Sequence, residues 1–174
     1  MTGDPVLLEL AERVGRRLAA SGCRLVTAES CTGGWIAKTL TDVAGSSQWF
    51  ECGFVTYSNR AKRRDLGVAE ETLDRHGAVS EATVREMAQG ALMRSGAQVA
   101  VAVSGIAGPD GGLPGKPVGT VWFATARRHD SVVDTEAQAR RFEGDRETVR
   151  RRSVEHALAL VAALPVEPGV RGGA

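Results

Sequence analysis

The sequence predicts an α/β fold in which helices cover both faces of one mixed, mostly parallel β-sheet. Segments with an apolar period of about 3.6 residues alternate with short runs of β-branched and aromatic residues, which is typical of helices between strands. The stretch QVAVAV at 98–103 is almost entirely apolar, as in a strand that is covered on both faces. Two strand-like segments around a turn near residue 130 indicate one antiparallel hairpin.

The length and composition are those of one soluble globular domain. The chain has 174 residues, 43% of them hydrophobic and 25% charged, and we expect a single domain over residues 1–164. Residues 165–174 hold two prolines and three glycines, which predicts a disordered tail. The net charge is +1, so charge gives no reason to expect a nucleic-acid or membrane partner.

Targeting signals and metal-ligand patterns are missing from the sequence. No apolar run is long enough to cross a bilayer, and no signal peptide is visible. The three cysteines are odd in number and lack CxxC spacing, which indicates free thiols in a reducing compartment, so we expect a cytoplasmic protein. The three histidines are scattered, and we expect no metal and no cofactor.

The first elements are a helix, a strand and a second helix. Leucine and valine recur at spacings of three and four over residues 4–21, which predicts a helix that ends at Ser21-Gly22. A short buried strand is expected at 24–28. The segment 33–43 has the pattern of a second helix, and a turn follows at 44–47.

The middle of the chain adds a strand and three helices. Residues 49–57 (WFECGFVTY) are rich in aromatic and β-branched residues, which predicts a strand. Ser58 or Asn59 is expected to cap a short helix that carries Lys62, and another helix is expected at 70–75. The capping serine and the apolar face of the next helix are Ser80, Val84, Met87, Ala88, Ala91 and Leu92.

The last part of the chain contains three strands and the final helix. The strand at 98–103 runs into a glycine-rich loop at 104–112, and a second strand is expected at 117–125. A hairpin turn at 127–130 leads into the third strand at 132–142. The final helix is expected to begin at Gly144-Asp145 and to bury Val149, His156, Leu160 and Val161.

The stretch TAESCTGG at 27–34 is the first candidate for a functional site. A strand that ends in Ser30, Cys31 and Thr32 and opens a helix through Gly33-Gly34 brings hydroxyl groups and free backbone N–H groups to one point. Such a point can bind an anion or expose a nucleophilic serine. Alternatively, Ser30 or Thr32 only caps the helix, and the glycines only permit a tight turn.

The loop at 104–112 is the second candidate. It also follows the carboxyl end of a strand, and such loops meet in a crevice that binds ligands in α/β sheets. Ser104 could offer a hydroxyl and Gly105 a backbone N–H to a carbonyl or a phosphate. Arg141 and Arg146 could clamp a phosphate. The alternatives are turn formation for the loop and surface ion pairing for the arginines.

A serine nucleophile needs a base, and Lys62 is the candidate because no histidine lies in a motif-like context. A lysine is a base only when it is neutral. Burial or neighbouring cations, here Arg60, Arg63 and Arg64, would have to lower its pKa. The alternative is that the basic run is a solvated surface, and residue types alone favour that alternative.

Two further residues have alternative roles. Cys31 is a rival nucleophile, but it has no adjacent histidine or evident carboxylate partner, so we favour a role as a small buried residue. Tyr57 closes an apolar strand, where its ring could pack or its hydroxyl could donate to a developing oxyanion. Residue types alone therefore indicate an α/β domain with an anion-binding crevice and a candidate serine nucleophile.

Five sequence blocks occur in a characteristic order. They are AESCTGG at 28–34, GFVTYSN at 53–59 with Lys62, HGAVS at 76–80, VSGIAGPDGG at 103–112 and KPVGTVWF at 116–123. Together they resemble the CinA C-terminal domain family, over about residues 5–163. The resemblance is strongest to its stand-alone, PncC-type nicotinamide mononucleotide (NMN) deamidases. We therefore expect no N-terminal CinA domain and none of the pyrophosphatase activity attached to it.

The resemblance implies a three-layer α/β/α sandwich that hydrolyses NMN to nicotinate mononucleotide and ammonia in NAD salvage. It implies that Ser30 is the nucleophile and Lys62 the general base, and that Tyr57 contacts the oxyanion or orients the pair. It implies no cofactor. The candidates for holding the substrate are Thr32, Gly33, Gly34, Ser104, Gly105 and Arg146.

Two other functions compete with the deamidase. One is a non-catalytic nucleotide-binding or regulatory module, and the other is a serine hydrolase for a different small amide. The presence of both Ser30 and Lys62 favours an enzyme. Trp49, Phe50 and Tyr57 could stack on a pyridine ring, although aromatic residues in strands are more often core. We expect a homo-oligomer, because an exposed edge of a mixed sheet favours self-association.

Overall fold

The computed structural model describes residues 4–166, which form one five-stranded sheet and six α-helices. The helices are α1 (Pro5–Ser21), α2 (Trp35–Thr41), α3 (Asn59–Leu66), α4 (Glu70–His76), α5 (Glu81–Ser95) and α6 (Arg146–Ala163). The strands are β1 (Leu25–Glu29), β2 (Phe50–Val55), β3 (Val99–Gly105), β4 (Thr120–His129) and β5 (Val132–Arg141). A 3-10 turn at Ser46–Gln48 precedes β2.

The strands are arranged in the order β2-β1-β3-β4-β5. Strand β1 pairs in parallel with both β2 and β3, whereas β4 is antiparallel to β3 and to β5. The predicted mixed, mostly parallel sheet is therefore confirmed. Because β1 lies between β2 and β3, three strand ends of the same polarity come together at one edge of the sheet.

The helices form one layer on each face of the sheet. On the first face, Leu25 packs in a cluster with side chains of α1, α2 and α6. On the second face, Val26 and Ala28 pack in a cluster with side chains of α3, α4 and α5. The predicted three-layer α/β/α sandwich is confirmed, with one apolar core on each side of the sheet.

Side-chain caps begin four of the helices. Asp4 accepts hydrogen bonds from the N–H groups of the first turn of α1, and Asp145 does the same at α6. Ser80 caps α5, as predicted. Ser58, not Asn59, caps α3 by accepting from a backbone N–H at 3.1 Å. This cap matters for the site because α3 carries the lysine of the candidate pair.

The hairpin turn predicted at 127–130 is wrong. Residues 127–129 belong to β4, and the chain reverses at Asp130-Ser131, where Asp130 has a left-handed φ of 53°. The Arg128 N–H donates to the Gln98 carbonyl oxygen at 2.8 Å, so the ladder between β3 and β4 continues through the polar segment. The charged side chains fit this strand because Arg127 pairs with Asp134 of β5 at 2.6 Å and Arg128 donates to the Leu92 carbonyl oxygen at 3.1 Å.

Strand β3 is longer than predicted. Ser104 pairs with Trp122 and Gly105 with Val121 in the ladder with β4. Both residues therefore have strand geometry, and the glycine-rich loop begins after them. The other predicted helices and strands are present with bounds that differ by a few residues.

The predicted tail at 165–174 lies mostly outside the described residues. Arg17 donates to the Leu164 carbonyl oxygen at 2.6 Å, and Arg127 donates to that of Pro165 at 2.8 Å, so the chain is tied to the domain up to that point. The single domain over 1–164 stays a prediction. Within the part of the chain that the structure describes, no helix has both the length and the apolar character needed to span a membrane.

Candidate active site

The candidate active site lies where the carboxyl ends of β1, β2 and β3 meet. The Ser30 N–H donates to the Val103 carbonyl oxygen at 3.0 Å, which ties the residue after β1 to β3. The Thr56 N–H donates to the Glu29 carbonyl oxygen at 2.8 Å, which ties β1 to the residue after β2. These two backbone hydrogen bonds fix the positions of Ser30 and Thr56 at the ends of the strands.

The alternation of β1 separates the two polar residues at its end. Successive residues of a strand point to opposite faces of the sheet. Leu25 belongs to the first-face cluster, and Val26 and Ala28 belong to the second-face cluster. Glu29 accordingly reaches the start of α2 on the first face, whereas Ser30 reaches α3 on the second face.

Ser30 and Lys62 form a buried hydrogen-bonded pair. The Lys62 Nζ lies 2.9 Å from the Ser30 Oγ, and it also donates to the Thr56 carbonyl oxygen at 2.7 Å. Lys62 is 1% exposed and Ser30 is 8% exposed. The fold thus brings together the two residues that the sequence singled out, and the solvated-surface alternative is wrong for Lys62.

Burial lowers the pKa of Lys62 from 10.5 to about 8, because the protonated amine loses its hydration. The arginines predicted to contribute are directed elsewhere. Arg60 and Arg64 are exposed, and Arg63 donates to both carboxylate oxygens of Glu70 at 2.7 and 2.9 Å. Only one face of α3 turns inward, so desolvation and not neighbouring cations lowers the pKa of this lysine.

Cys31 does not have the properties of a nucleophile. The residue is 5% exposed and packs in the first-face cluster. Burial raises the pKa of its thiol to about 12, so the thiolate is scarce near neutral pH. The expectation of a small buried residue is confirmed.

Glu29 fills the N-terminus of α2. Its carboxylate, which is fully buried, accepts hydrogen bonds from the Thr32 hydroxyl at 2.7 Å and from three backbone N–H groups, those of Gly34, Ile36 and Ala37, at 2.8–3.0 Å. Of the possibilities considered for this helix start, the structure shows its N–H groups donating to an anion that the chain itself supplies. The Thr32 side chain is fully buried, and its hydroxyl is used inside the loop instead of facing the crevice.

Gly33 and Gly34 give the loop its shape. Their φ angles are 64° and 94°, in the left-handed region that favours glycine. This turn brings the N–H groups of α2 around the Glu29 carboxylate. A Cβ at Gly34 would lie 3.3 Å from the side chain of Val55, so the loop also approaches β2 closely.

Tyr57 and Arg146 form a bridge across the end of β1. The Arg146 Nη2 donates to the Tyr57 hydroxyl at 2.9 Å, and its Nη1 donates to the Gly108 carbonyl oxygen at 2.8 Å. Tyr57 follows β2 and Gly108 follows β3, which are the two neighbours of β1. Tyr57 is 61% exposed, and in this structure its hydroxyl contacts Arg146 instead of the Ser30–Lys62 pair.

Ser104 and Gly105 lie at the end of β3, beside Ser30. Ser104 is buried and, by the alternation of β3, points to the same face of the sheet as Ser30. The Ile106 N–H donates to the Thr120 carbonyl oxygen of β4 at 2.9 Å. Since backbone groups alternate along an antiparallel pair, the Gly105 N–H is directed the other way, past the end of β1.

Sequence reasoning missed three contributors to the site. Glu29 is an acid at the end of an apolar strand, just before a helix start that needs an acceptor, and this combination could have identified it. Arg150 donates to the carbonyl oxygens of Cys31 and Thr32, both at 3.0 Å, and only its position on α6 hinted at a role. The Thr56 carbonyl oxygen carries no sequence signal, because every residue has one.

Two of the three aromatic residues considered for stacking on a substrate, Trp49 and Phe50, pack in the core, whereas Tyr57 is exposed. Trp49 is 4% exposed, and a Cβ at Gly15 would lie 2.7 Å from its ring. Phe50 packs against the same first-face cluster. Among residues 4–166, no group of three His, Cys, Asp or Glu side chains is placed to hold a metal ion.

Comparisons with known proteins agree on one family. The family model of the CinA C-terminal domain matches residues 7–164. A protein named nicotinamide-nucleotide amidohydrolase PncC in Escherichia coli K12 is 58% identical over 156 residues, which cover 89% of this chain and 92% of that protein. A protein with the same name in Pseudomonas putida is 54% identical over 164 residues, covering 94% and 99% of the two chains.

A solved structure supports the same grouping. The crystal structure of the competence/damage inducible protein CihA from Agrobacterium tumefaciens superposes with a TM-score of 0.87 at 48% sequence identity. The match covers 94% of this chain and 98% of that one. The fold and the sequence blocks therefore point to the same family.

Proposed function

We propose that this chain, which belongs to the CinA C-terminal domain family, hydrolyses the carboxamide of NMN to nicotinate mononucleotide and ammonia, a step of NAD salvage. The observation that carries the proposal is the buried pair in which 2.9 Å separate the Ser30 Oγ and the Lys62 Nζ. A module that only binds nucleotides has no need for a lysine of lowered pKa against a serine. The names of the relatives from E. coli and P. putida supply the substrate class.

The first step is attack by Ser30 on the carboxamide carbon. Neutral Lys62 has one lone pair and two N–H bonds. The Thr56 carbonyl oxygen, at 2.7 Å, accepts one N–H and leaves the lone pair free to face the Ser30 hydroxyl. As the Oγ–carbon bond forms, the hydroxyl proton passes to Lys62, and the carbonyl π electrons move to oxygen.

The oxyanion formed in this step needs a hydrogen-bond donor. The Gly105 N–H supports this role because it is directed past the end of β1, beside the serine. Tyr57 is the second donor that we propose. Its hydroxyl oxygen accepts a hydrogen bond from Arg146, so its own proton remains available to the substrate.

The remaining steps return the pair to its starting state. Protonated Lys62 gives its proton to the amide nitrogen as the carbon–nitrogen bond breaks, and ammonia leaves an acyl-enzyme ester. Water then adds to the ester carbon and transfers a proton to Lys62. The carbon–Oγ bond breaks, Ser30 recovers that proton, and the carboxylic acid so formed releases its own proton to solvent and leaves as the carboxylate.

Arg146 is the residue that we assign to the phosphate of NMN. Its guanidinium is exposed at the rim of the site, and its two donors there now contact Tyr57 and Gly108. Two parallel donors suit a phosphate. We assign Gly33, Gly34 and the buried Ser104 to the walls of the crevice. Thr32 supports the loop through Glu29 and is not assigned a substrate contact.

The proposal includes the setting in which the enzyme works. The only partner that it requires is a small nucleotide, and it requires neither nucleic acid nor a membrane. We also propose a cytoplasmic homo-oligomer. The observation that supports self-association is that β2 and β5 are the two edges of the sheet, with alternating exposed residues.

The test is ammonia release from NMN, measured beside nicotinamide and NAD, with the wild type and Ser30→Ala. The expected result is release from NMN alone and a loss of about 10³-fold or more in Ser30→Ala. A folded wild type that releases ammonia from none of the three would contradict the deamidase. Release from other small amides would then favour another amide hydrolase, and nucleotide binding without hydrolysis would favour a regulatory module.

A further inference from the structure

Arg150 lies one helical turn after Arg146 on α6 and takes no part in the reaction proposed above. We propose that Arg150 is a positioning residue for Ser30. Its guanidinium holds the peptide groups that follow the serine, so that the serine hydroxyl stays aimed at Lys62. The inference rests on the proposed function for its activity readout, but it is also tested below by a readout that does not need NMN.

The guanidinium contacts the loop at two successive carbonyl groups. The Arg150 Nε donates to the Cys31 carbonyl oxygen and its Nη2 to the Thr32 carbonyl oxygen, both at 3.0 Å. The guanidinium lies over the Trp35 ring, 5.5 Å from the ring centroid. A planar fork with two donors fixes the orientation of both peptide groups, which a single point charge cannot do.

The same loop is held from its other side by an opposite charge. Glu29 accepts from the Thr32 hydroxyl and from the N–H groups of Gly34, Ile36 and Ala37. The carbonyl oxygens of the loop thus face a cation, and its N–H groups face an anion. Because the Arg150 cation binds the carbonyl oxygens and the Glu29 anion binds the N–H groups, the backbone of the loop is restrained to one conformation.

The layers of the fold explain why this arrangement acts on Ser30. Arg150 belongs to α6 on the first face of the sheet, whereas Lys62 belongs to α3 on the second face. Ser30 lies between them, one residue before the first carbonyl that Arg150 holds. Without the guanidinium, the Cys31 carbonyl oxygen loses its donor, and the Thr32 carbonyl oxygen keeps only the longer bond from the Trp35 N–H, at 3.3 Å. The loop is then held less firmly, and the serine that precedes it shifts. A displacement of about 1 Å can reduce a rate about 100-fold.

The experiment compares Arg150→Ala with Arg152→Ala. Arg152 is an exposed arginine of the same helix, so its removal changes the charge equally and leaves the loop intact. We expect kcat for NMN to fall about 30-fold in Arg150→Ala, with KM within about threefold of the wild type. Millimolar guanidinium should restore part of kcat in Arg150→Ala and leave Arg152→Ala unchanged, because the half-buried site is open to a small cation.

The second readout is covalent labelling of Ser30 by a small sulfonyl fluoride, followed by mass spectrometry. The labelling rate should fall in Arg150→Ala and recover with guanidinium. If the wild type does not release ammonia from NMN but labelling depends on Arg150, the deamidase fails and the positioning role stands. If the wild type is active and kcat and labelling in Arg150→Ala stay within twofold of it, the positioning role fails and the deamidase stands.

Arg150→Lys covers the case in which Arg150→Ala does not fold. The lysine keeps the charge but can hold only one of the two carbonyl groups in a fixed direction. We expect wild-type thermal stability within a few degrees, with kcat and labelling reduced about five- to tenfold. Wild-type kcat and labelling in Arg150→Lys would overturn the proposal, as would a loss confined to KM.

Discussion

Two buried ionisable residues at the end of β1, Glu29 and Lys62, differ in how completely the protein satisfies them. Both are at most 1% exposed. Glu29 accepts four hydrogen bonds at 2.7–3.0 Å, from a hydroxyl and three N–H groups at a helix start. Among residues 4–166, the hydrogen-bond partners of the Lys62 Nζ are the Ser30 hydroxyl and one carbonyl oxygen, and neither carries a charge that would stabilise an ammonium ion.

The difference teaches which buried charge is structural and which can do chemistry. A carboxylate whose oxygens accept four hydrogen bonds holds the helix start in place. A lysine without an anion has its pKa lowered by burial to about 8, which lets it gain and lose a proton near working pH. The four predictions below test this contrast.

The largest effect is expected from Lys62→Met. The variant lacks the base, so kcat/KM for NMN should fall about 10³-fold or more.

The same variant should also be more stable. Because the pKa of Lys62 is lowered from 10.5 to about 8, the free-energy penalty of its buried charge is present in full below pH 8 and fades towards pH 10.5. At about 1.4 kcal/mol per pKa unit it reaches about 3 kcal/mol. Urea unfolding at pH 7 should therefore show a gain of about 1–3 kcal/mol.

Lys38→Met is the control for this variant. Lys38 is exposed and pairs with Asp42 at 2.6 Å, so both kcat/KM and stability should stay near the wild type. Retention of a tenth of the activity in Lys62→Met, or a loss of stability, would contradict the contrast drawn above.

Glu29→Gln is expected to have the next largest effect, and on stability first. The amide nitrogen of glutamine is a donor and would face an N–H group or a hydroxyl that now donates to the carboxylate. We expect the free energy of unfolding to fall by about 2–4 kcal/mol in urea titrations. Glu12→Gln, at an exposed glutamate, is the matched change and should stay within about 0.5 kcal/mol. Equal effects in the two variants would show that Glu29 is not a structural charge.

The pH dependence of activity is the third prediction. Lys62 is a base only when neutral, so kcat/KM should rise with pH through the pKa of about 8. Between pH 7 and pH 9 the neutral fraction, and with it kcat/KM, increases about tenfold. The measurement is a pH–rate profile with circular dichroism at each pH as the check on folding. A profile that is already flat below pH 7 would mean that another group is the base.

The smallest effect is expected from His156, a half-buried titratable residue that differs from both Glu29 and Lys62. Its Nε2 is buried and has no hydrogen-bond partner within residues 4–166, and its ring packs edge-on against Phe123 with centroids 4.7 Å apart. Burial, with the nearby Arg140, lowers its pKa below 6.5, so protonation is easier in the unfolded chain. Stability is therefore full above pH 6.5 and is lost as the pH falls below it.

The measurement is urea unfolding at pH 7.5 and pH 5.5. The loss at pH 5.5 should shrink in His156→Leu, which cannot titrate. It should persist in His129→Gln, because His129 is exposed at the end of β4. An undiminished loss in His156→Leu would assign the acid sensitivity to other groups.

Local pattern predicted most of the elements. The period of α1 and α5 and the caps at Ser58 and Ser80 depend on residues within a few positions of each other, so they can be identified in the sequence. The prediction of a turn at 127–130 was wrong because it also relied on local pattern alone. A polar local composition indicated a loop, but pairing with β3, which is distant in sequence, kept the segment extended.

In the candidate site, too, local pattern predicted some residues, whereas others depend on tertiary packing. Residue types suggested Ser30, but for Lys62 they favoured a solvated surface, and only the resemblance to a family raised it to a base. Whether one lysine among four basic residues faces inward depends on how α3 packs against α5, and Leu66 of α3 is buried there. The bridge between Tyr57 and Arg146 depends in the same way on α6.

The sequence by itself determined the order of helices and strands, the separation of Glu29 and Ser30 onto opposite faces, and the glycines that open α2. These features follow from periods of two and about 3.6 residues and from local backbone freedom. Only the tertiary structure decided that Lys62 reaches Ser30, that Glu29 fills the helix start, and that Arg150 holds the loop. Those contacts join layers on opposite sides of the sheet, and their distances are set by the packing of whole helices.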